Sequence, residues 1–262
     1  MKKCIGDTRS KSRAGVAVAS IALAVSMFTA PGIADEADAK KIFQSMSDYL
    51  VAQKSISFSY DATLEIVTDE LQKLGFASSG QVTLNRPDKL RMSRTGGMVD
   101  MEFAYDGKSL AIMGKNLNVF TKIAVSGSVD DLLDTLRFDY DVEAPAADLL
   151  SDNPNEIMMS NVTDVKDLGS GIIGGKECDH LAFRTRSTDW QIWIAHGDTP
   201  YPCRFTITSK LMAQAPSYTI EVREWKTGDS VMSDDFQLKT GDAKQIKITE
   251  FSGLSEIPAD SE

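Results

Sequence analysis

Residues 55–67 read SISFSYDATLEIV, and within them Ile56, Phe58, Tyr60, Ala62, Leu64 and Ile66 alternate without a break against Ser57, Ser59, Asp61, Thr63 and Glu65. Successive side chains of a β-strand point to opposite faces, so this period of two predicts a long strand with one apolar and one wet face. Similar runs follow at 74–84, 88–95, 98–105, 108–113 and 117–125, punctuated at 85–88, Gly96-Gly97, Asp106-Gly107 and 114–116. Asp106-Gly107 between alternating runs is a strong hairpin signal. The connections are too short for crossover helices, so the six strands read as an antiparallel meander.

Upstream, Ile42, Phe43, Met46, Tyr49 and Leu50 recur at helical spacing and predict a packed amphipathic helix over 38–51. Downstream the strand pattern stops at Ser126. Ser128 and Asp131 form a capping box, and Val129, Leu132, Leu133 and Leu136 give a helix from 128 to about 138 its apolar stripe. A second short helix is expected after Pro145, through Ala146, Leu149 and Leu150. Strands resume near Val162 and continue at 176–185, 188–195, 203–210 and 217–226, with shorter candidates at 236–239 and 245–250. Phe183, Ile192, Ile194, Phe205, Ile207, Ile220 and Val222 supply their apolar phase. About eleven strands with two or three helices make a mainly β (α+β) fold. That many strands favour a curled antiparallel sheet, a half-open β-barrel with helices plugging its concave side.

The first thirteen residues carry Lys2, Lys3, Arg9, Lys11 and Arg13 against Asp7 alone, and an apolar run over 14–30 follows. This is the pattern of a secretory signal peptide, expected to be cleaved after Ala34 and too short to span a bilayer. Its removal takes away five basic and one acidic side chains, carrying the net charge from −10 to −14 over one domain, residues 35–262. Such a surface is a poor partner for nucleic acid. No integral span is expected after processing, and the expected compartment is the periplasm, with secretion as second choice.

Cys178 and Cys203 are then the two remaining cysteines, and an oxidising compartment favours their pairing. Two observations pull the other way. In a simple three-strand meander the first and third strands lie about 10 Å apart, beyond the ~7 Å reach of a bridge. Cys178 also shares the polar phase of its strand, whereas Cys203 shares the phase of Phe205 and Ile207. Compartment and parity lead us to expect the bond.

Signatures of chemistry are missing. His180 and His196 stand sixteen residues apart without HxxxH or CxxC spacing, there is no GxSxG elbow, and GSGIIGG at 169–175 lacks the GKS or GKT end of a phosphate loop. Asp130, Asp131 and Asp134 read as a solvated first helical turn. We expect no catalysis, metal or cofactor. Methionine is abundant, and Met92, Met98, Met101 and Met113 fall on four neighbouring strands, where their flexible side chains suit variable apolar contacts.

The order helix, six-strand meander, helical plug and further strands resembles the outer-membrane lipoprotein carriers (LolA/LolB-like), and LNRPDKLRM at 84–92 is similar to their arginine-proline strand turn. Across nearly the whole mature chain the sequence also resembles a family of predicted periplasmic proteins of proteobacteria, a domain of unknown function. The stretches that carry this are 46–65, VTLNRPDKLR at 82–91, 162–184, WQIWIAHGDTPYPCRFTITSK at 190–210 and YTIEVREWKTGD at 218–229. The resemblance implies a carrier-like half-barrel.

About eleven alternating strands present more one-sided apolar surface than two or three short helices can bury, and large exposed apolar patches mark binding sites. We therefore expect a binding or carrier protein for an acyl chain, lipid or lipoprotein. Phe58, Tyr60, Leu64, Met92 and Met101 should line a cavity partly covered by the helix over 128–138. A structural partner in an envelope complex is the alternative. An enzyme, or an outer-membrane barrel, whose closing strand the ending SGLSEIPADSE does not supply, fits less well.

Overall fold

The computed structural model describes residues 36–97, 100–140, 142, 146–231 and 235–255. The expected leader, Met98 and Met232 lie outside them. Helix α1 (Glu36–Ala52) comes first, followed by strands β1 (Ser55–Val67), β2 (Lys73–Asn85), β3 (Lys89–Gly96), β4 (Asp100–Tyr105), β5 (Ser109–Gly114) and β6 (Val119–Ala124). A helical segment interrupts the sheet: α2 (Val129–Tyr140), a 3-10 turn at Ala147–Leu150 and α3 (Pro154–Met159). The chain returns through β7 (Asp164–Ile173), β8 (Lys176–Arg184), β9 (Thr188–Ala195), β10 (Pro202–Ser209) and β11 (Ser217–Thr227). It closes with the two-residue β12 (Lys244–Gln245) and α4 (Ile248–Ser255).

All twelve strands share one sheet in the order β12-β6-β5-β4-β3-β2-β1-β11-β10-β9-β8-β7. The two meanders are zipped together where β1 pairs antiparallel with β11, Tyr60 facing Val222 and Leu64 facing Tyr218. The sheet curls but does not close, since its end strands β7 and β12 do not pair with each other among the described residues. Curling brings Tyr105 and Leu110 of the first meander into the same buried cluster as Phe183 and Trp190 of the second.

Local chemistry accounts for most element boundaries. At the β4–β5 turn the Asp106 carboxylate accepts from the backbone N–H groups of Lys108 and Ser109, and Gly107 takes φ +85°. At α2 the Ser128 hydroxyl accepts from the Asp131 N–H while the Asp131 carboxylate accepts from the Ser128 N–H, the expected capping box closed in both directions. Helix α3 is an addition to the expected elements, although its signal is present in the sequence: Asn153 accepts from the Glu156 N–H at 3.3 Å, with Pro154 at the first helical position. The expected strands at 236–239 and 245–250 are replaced. Only Lys244–Gln245 pairs, parallel to β6, and Ile248 onward is helical because Ile248 and Phe251, three residues apart, turn together into the core.

The core occupies the concave side. Helix α1 buries Ala39, Phe43, Met46 and Leu50, with the Phe43 ring 5.3 Å from Phe183 and 5.4 Å from Trp190. Helix α2 adds Val129, Leu132, Leu133 and Leu136. The helical cover is fastened to the sheet at the Arg86-Pro87 turn, where Arg86 donates to the Asp152 carboxylate at 2.6 Å and to the Ser151 carbonyl at 3.1 Å.

A second, smaller core lies on the opposite face, where Ile173, Cys178, Ala195 and Cys203 pack together with Trp193 and Tyr201. Cys178 and Cys203 are bonded, their Cα atoms 7.0 Å apart. A regular meander would hold their two strands about 10 Å apart, but β10 is not regular there. Pro202 pairs with Ile194 and Arg204 with Trp193, so Cys203 is the extra residue of a bulge. Freed from the alternation that turns Phe205 inward, its side chain meets Cys178 on the outer face.

Candidate functional site

A cleft of about 740 Å³ opens between the helical segment and the ends of β9 and β10. Trp190, Phe205 and Ile207 form its floor, and Ile157, Met158 and Val162 of α3 and the following loop provide an apolar wall. Arg137, Asp148, Asn161, Arg186 and Ser187 ring the mouth. Arg137 is held there by an ion pair to Asp148 at 2.7 Å. Trp190 is fixed from beneath by Phe183, stacked at 3.8 Å between centroids. The floor is therefore rigid aromatic and aliphatic surface, while the rim is polar.

The floor continues across the sheet. Trp190 faces Ile207, Ile207 faces Tyr218, Tyr218 faces Leu64 and Leu64 faces Phe76, so one cross-strand row runs over β9, β10, β11, β1 and β2. Strands lie ~4.8 Å apart, so four spacings carry this row roughly 19 Å. Leu64, Phe76, Ile207 and Tyr218 are all half-buried.

Two further rows hold the other residues singled out from the sequence. Phe58, Val82, Met92, Phe103 and Ile112 are successive partners in one, and Tyr60, Gly80, Arg94 and Met101 in the next. Phe58 and Tyr60 are buried in the main core, and Met92 and Met101 pack against it half-buried. These four thus belong to one patch, and Leu64 to the row that reaches the cleft through Tyr218 and Ile207. None of the five is on the cleft wall itself. Phe205 and Ile207 belong to the apolar phase legible in the sequence. What the sequence did not show was that α3 and the 3-10 turn leave this end of the sheet uncovered.

Two irregularities shape the patch. Gly80 is bare so that Tyr60 can lie across it: a Cβ there would sit 2.6 Å from the Tyr60 hydroxyl, which donates to the Ser93 carbonyl at 3.0 Å. On β11 Glu224 adopts φ +49° at a bulge, where Arg223 pairs with Ser59 and Lys226 with Ser57. The extra residue turns Trp225 to the concave side, stacked 5.4 Å from Phe58, with its indole N–H donating to the Tyr49 hydroxyl at 3.2 Å.

Burial, with the neighbouring Tyr218 phenol, pushes the Tyr60 hydroxyl up to about 12. Burial also raises Tyr218, opposed by the Arg94 charge. Both phenols therefore stay neutral donors throughout the physiological range. The histidines are separate from this face. His180 stacks on Trp193 at 4.0 Å and bonds to Gln191 at 2.9 Å, its burial lowering its pKa, and His196 sits 3.2 Å from Asp179. Among the described residues no three His, Cys, Asp or Glu side chains are grouped to hold a metal. Among them, too, no helix is long and apolar enough to cross a membrane.

Residues 39–249 match the family described as "Predicted periplasmic protein (DUF2092)", and the chain belongs to that family. No curated protein matches it. Among solved structures it is similar to the Mycobacterium tuberculosis lipoprotein LppX, with 15% identity over 77% of this chain and 100% of that one, TM-score 0.49. It is also similar to an uncharacterized conserved protein from Thermus thermophilus, with 11% identity over 80% and 99%, TM-score 0.48. A third is a putative outer membrane lipoprotein-sorting protein domain from Vibrio parahaemolyticus, with 8% identity over 77% and 97%, TM-score 0.35.

Proposed function

We propose that this member of the predicted periplasmic family is exported by its N-terminal signal peptide and acts in the periplasm as a non-catalytic carrier. Its ligand is an acyl chain, borne by a lipid or lipoprotein. The observation that carries this reading is the cleft of about 740 Å³ whose apolar floor runs on from the buried Trp190 as a half-buried row from Ile207 through Tyr218 to Phe76. Its volume lies within the roughly 300–1,000 Å³ of small-molecule sites, and the mix of apolar walls and a polar rim is what such sites use. A row of ~19 Å accommodates an extended long acyl chain.

The reading is tested on protein taken from the native periplasm, by native mass spectrometry for a retained lipid and by titration with a fluorescent acyl probe. A retained lipid or saturable probe binding supports it. Protein that carries no lipid and binds no probe overturns it. A partner-docking role has one observation in its favour, because Leu71, Leu211 and Met212, in the β1–β2 and β10–β11 turns, are 55%, 77% and 58% exposed. A co-purifying envelope protein in the same spectra would favour that alternative.

A further inference from the structure

Arg94 stands on the concave face, opposite Gly80 on β2 and Met101 on β4, in a patch that apart from Ser78 is apolar or phenolic. Its one hydrogen bond among the described residues is from Nε to the Ser78 hydroxyl, at 3.3 Å. Most arginines here are matched by acids: Arg86 with Asp152, Arg91 with Glu102, Arg184 with Asp189 and Arg223 with Asp61. Arg94 has no carboxylate partner among the described residues, although the chain holds 38 acidic against 28 basic side chains.

The Arg94 charge acts on the hydroxyls of both Tyr60 and Tyr218. Tyr60 donates to the Ser93 carbonyl, whereas the Tyr218 hydroxyl has no hydrogen-bond partner among the described residues. Beyond that Ser78 contact, the half-buried guanidinium and the Tyr218 phenol are donors for which the described residues supply no acceptor. Between their rows lies that of Ala62, Ser78 and Gly96, small side chains of which the first two are buried, next to the half-buried Leu64. A cation in such a place is stabilised by an anion that forks onto the guanidinium, and a carboxylate matches that geometry.

We propose that Arg94, assisted by the Tyr218 hydroxyl, binds the terminal carboxylate of a single-chain fatty acid whose alkyl tail lies along the row towards Trp190. This rests on the acyl-carrier reading and names its ligand class. A guanidinium without a protein carboxylate selects for the charged end of the amphiphile, while the tail is held by area alone and tolerates variation in length.

The test compares palmitate, its methyl ester and a phosphate-headed lysolipid on wild type, Arg94→Met and Arg94→Gln, with thermal melts to confirm that the variants fold. Palmitate affinity should fall at least about tenfold in both variants while ester affinity stays within about twofold, since only the charge-assisted pair is lost. Tyr218→Phe should reproduce part of the loss. Equal affinities of wild type and variants for palmitate overturn the assignment of Arg94 and leave the carrier reading standing. Arginine dependence for the phosphate lipid alone overturns the carboxylate. Failure of wild type to bind any of the three overturns both readings together.

Discussion

Leu64→Glu separates a ligand-bearing surface from ordinary core. Leu64 is half-buried, faces Tyr218 on one side and Phe76 on the other, and lies outside the main buried cluster. Full burial of a leucine contributes ~1.5–3 kcal/mol, so losing about half of that costs roughly 1 kcal/mol. In a chain of this length such a loss lowers the thermal midpoint by about 2–4 °C. The introduced carboxylate keeps access to water in the free protein and so adds little. An acyl chain laid over the row would cover it, removing an apolar contact and desolvating a charge. At least a tenfold weakening of binding, ~1.4 kcal/mol, follows.

Phe58→Ala is the contrast. Phe58 is 7% exposed and stacked on Trp225, so its removal costs about 3–5 kcal/mol, and the melt should fall several times further. Thermal melts and acyl-probe titrations on the same preparations read both quantities. Unchanged probe affinity in Leu64→Glu would refute a ligand on this row. A melt as depressed as that of Phe58→Ala would show Leu64 to be core.

Two further outcomes test the frame that presents the site. Replacing Cys178 and Cys203 together by alanine removes a cross-link over 25 residues, worth roughly 3.5 kcal/mol in the chain-entropy model, and should lower the midpoint by about 7–14 °C without changing probe affinity, because the bond lies on the face opposite the cleft. An unchanged melt, or two free thiols titrated in unfolded wild-type protein, would contradict the structure. Gly80→Ala puts a methyl group against the Tyr60 ring and the Ser93 carbonyl and should destabilise by ~1–3 kcal/mol on chemical denaturation, with Tyr60→Ala in the same chain recovering part of the loss; strict additivity of the two would deny the contact.

The alternation over Ser55–Val67 was enough to establish a half-wet strand, because the period of side-chain direction in β structure is a local property that needs no partner. The first meander, the α1 stripe, the capping box of α2 and the strands from β8 to β11 are legible for the same reason: each is written in spacing, turn residues or caps within a dozen positions. Membership of the periplasmic family also follows from sequence alone. Tertiary structure decided the rest wherever a residue departs from its phase. The bulges at Cys203 and Glu224 reverse the facing of Cys203 and Trp225, and a single extra backbone residue leaves no mark in composition or periodicity. The pairing of β1 with β11 joins residues some 160 positions apart, so the row from Trp190 to Phe76 exists only once the sheet is assembled. The cleft likewise depends on how far the helices between the two meanders reach over the concave face. Apolar periodicity tells which side of a strand is greasy, but whether that side is covered by protein or left for a ligand is fixed by packing between distant segments.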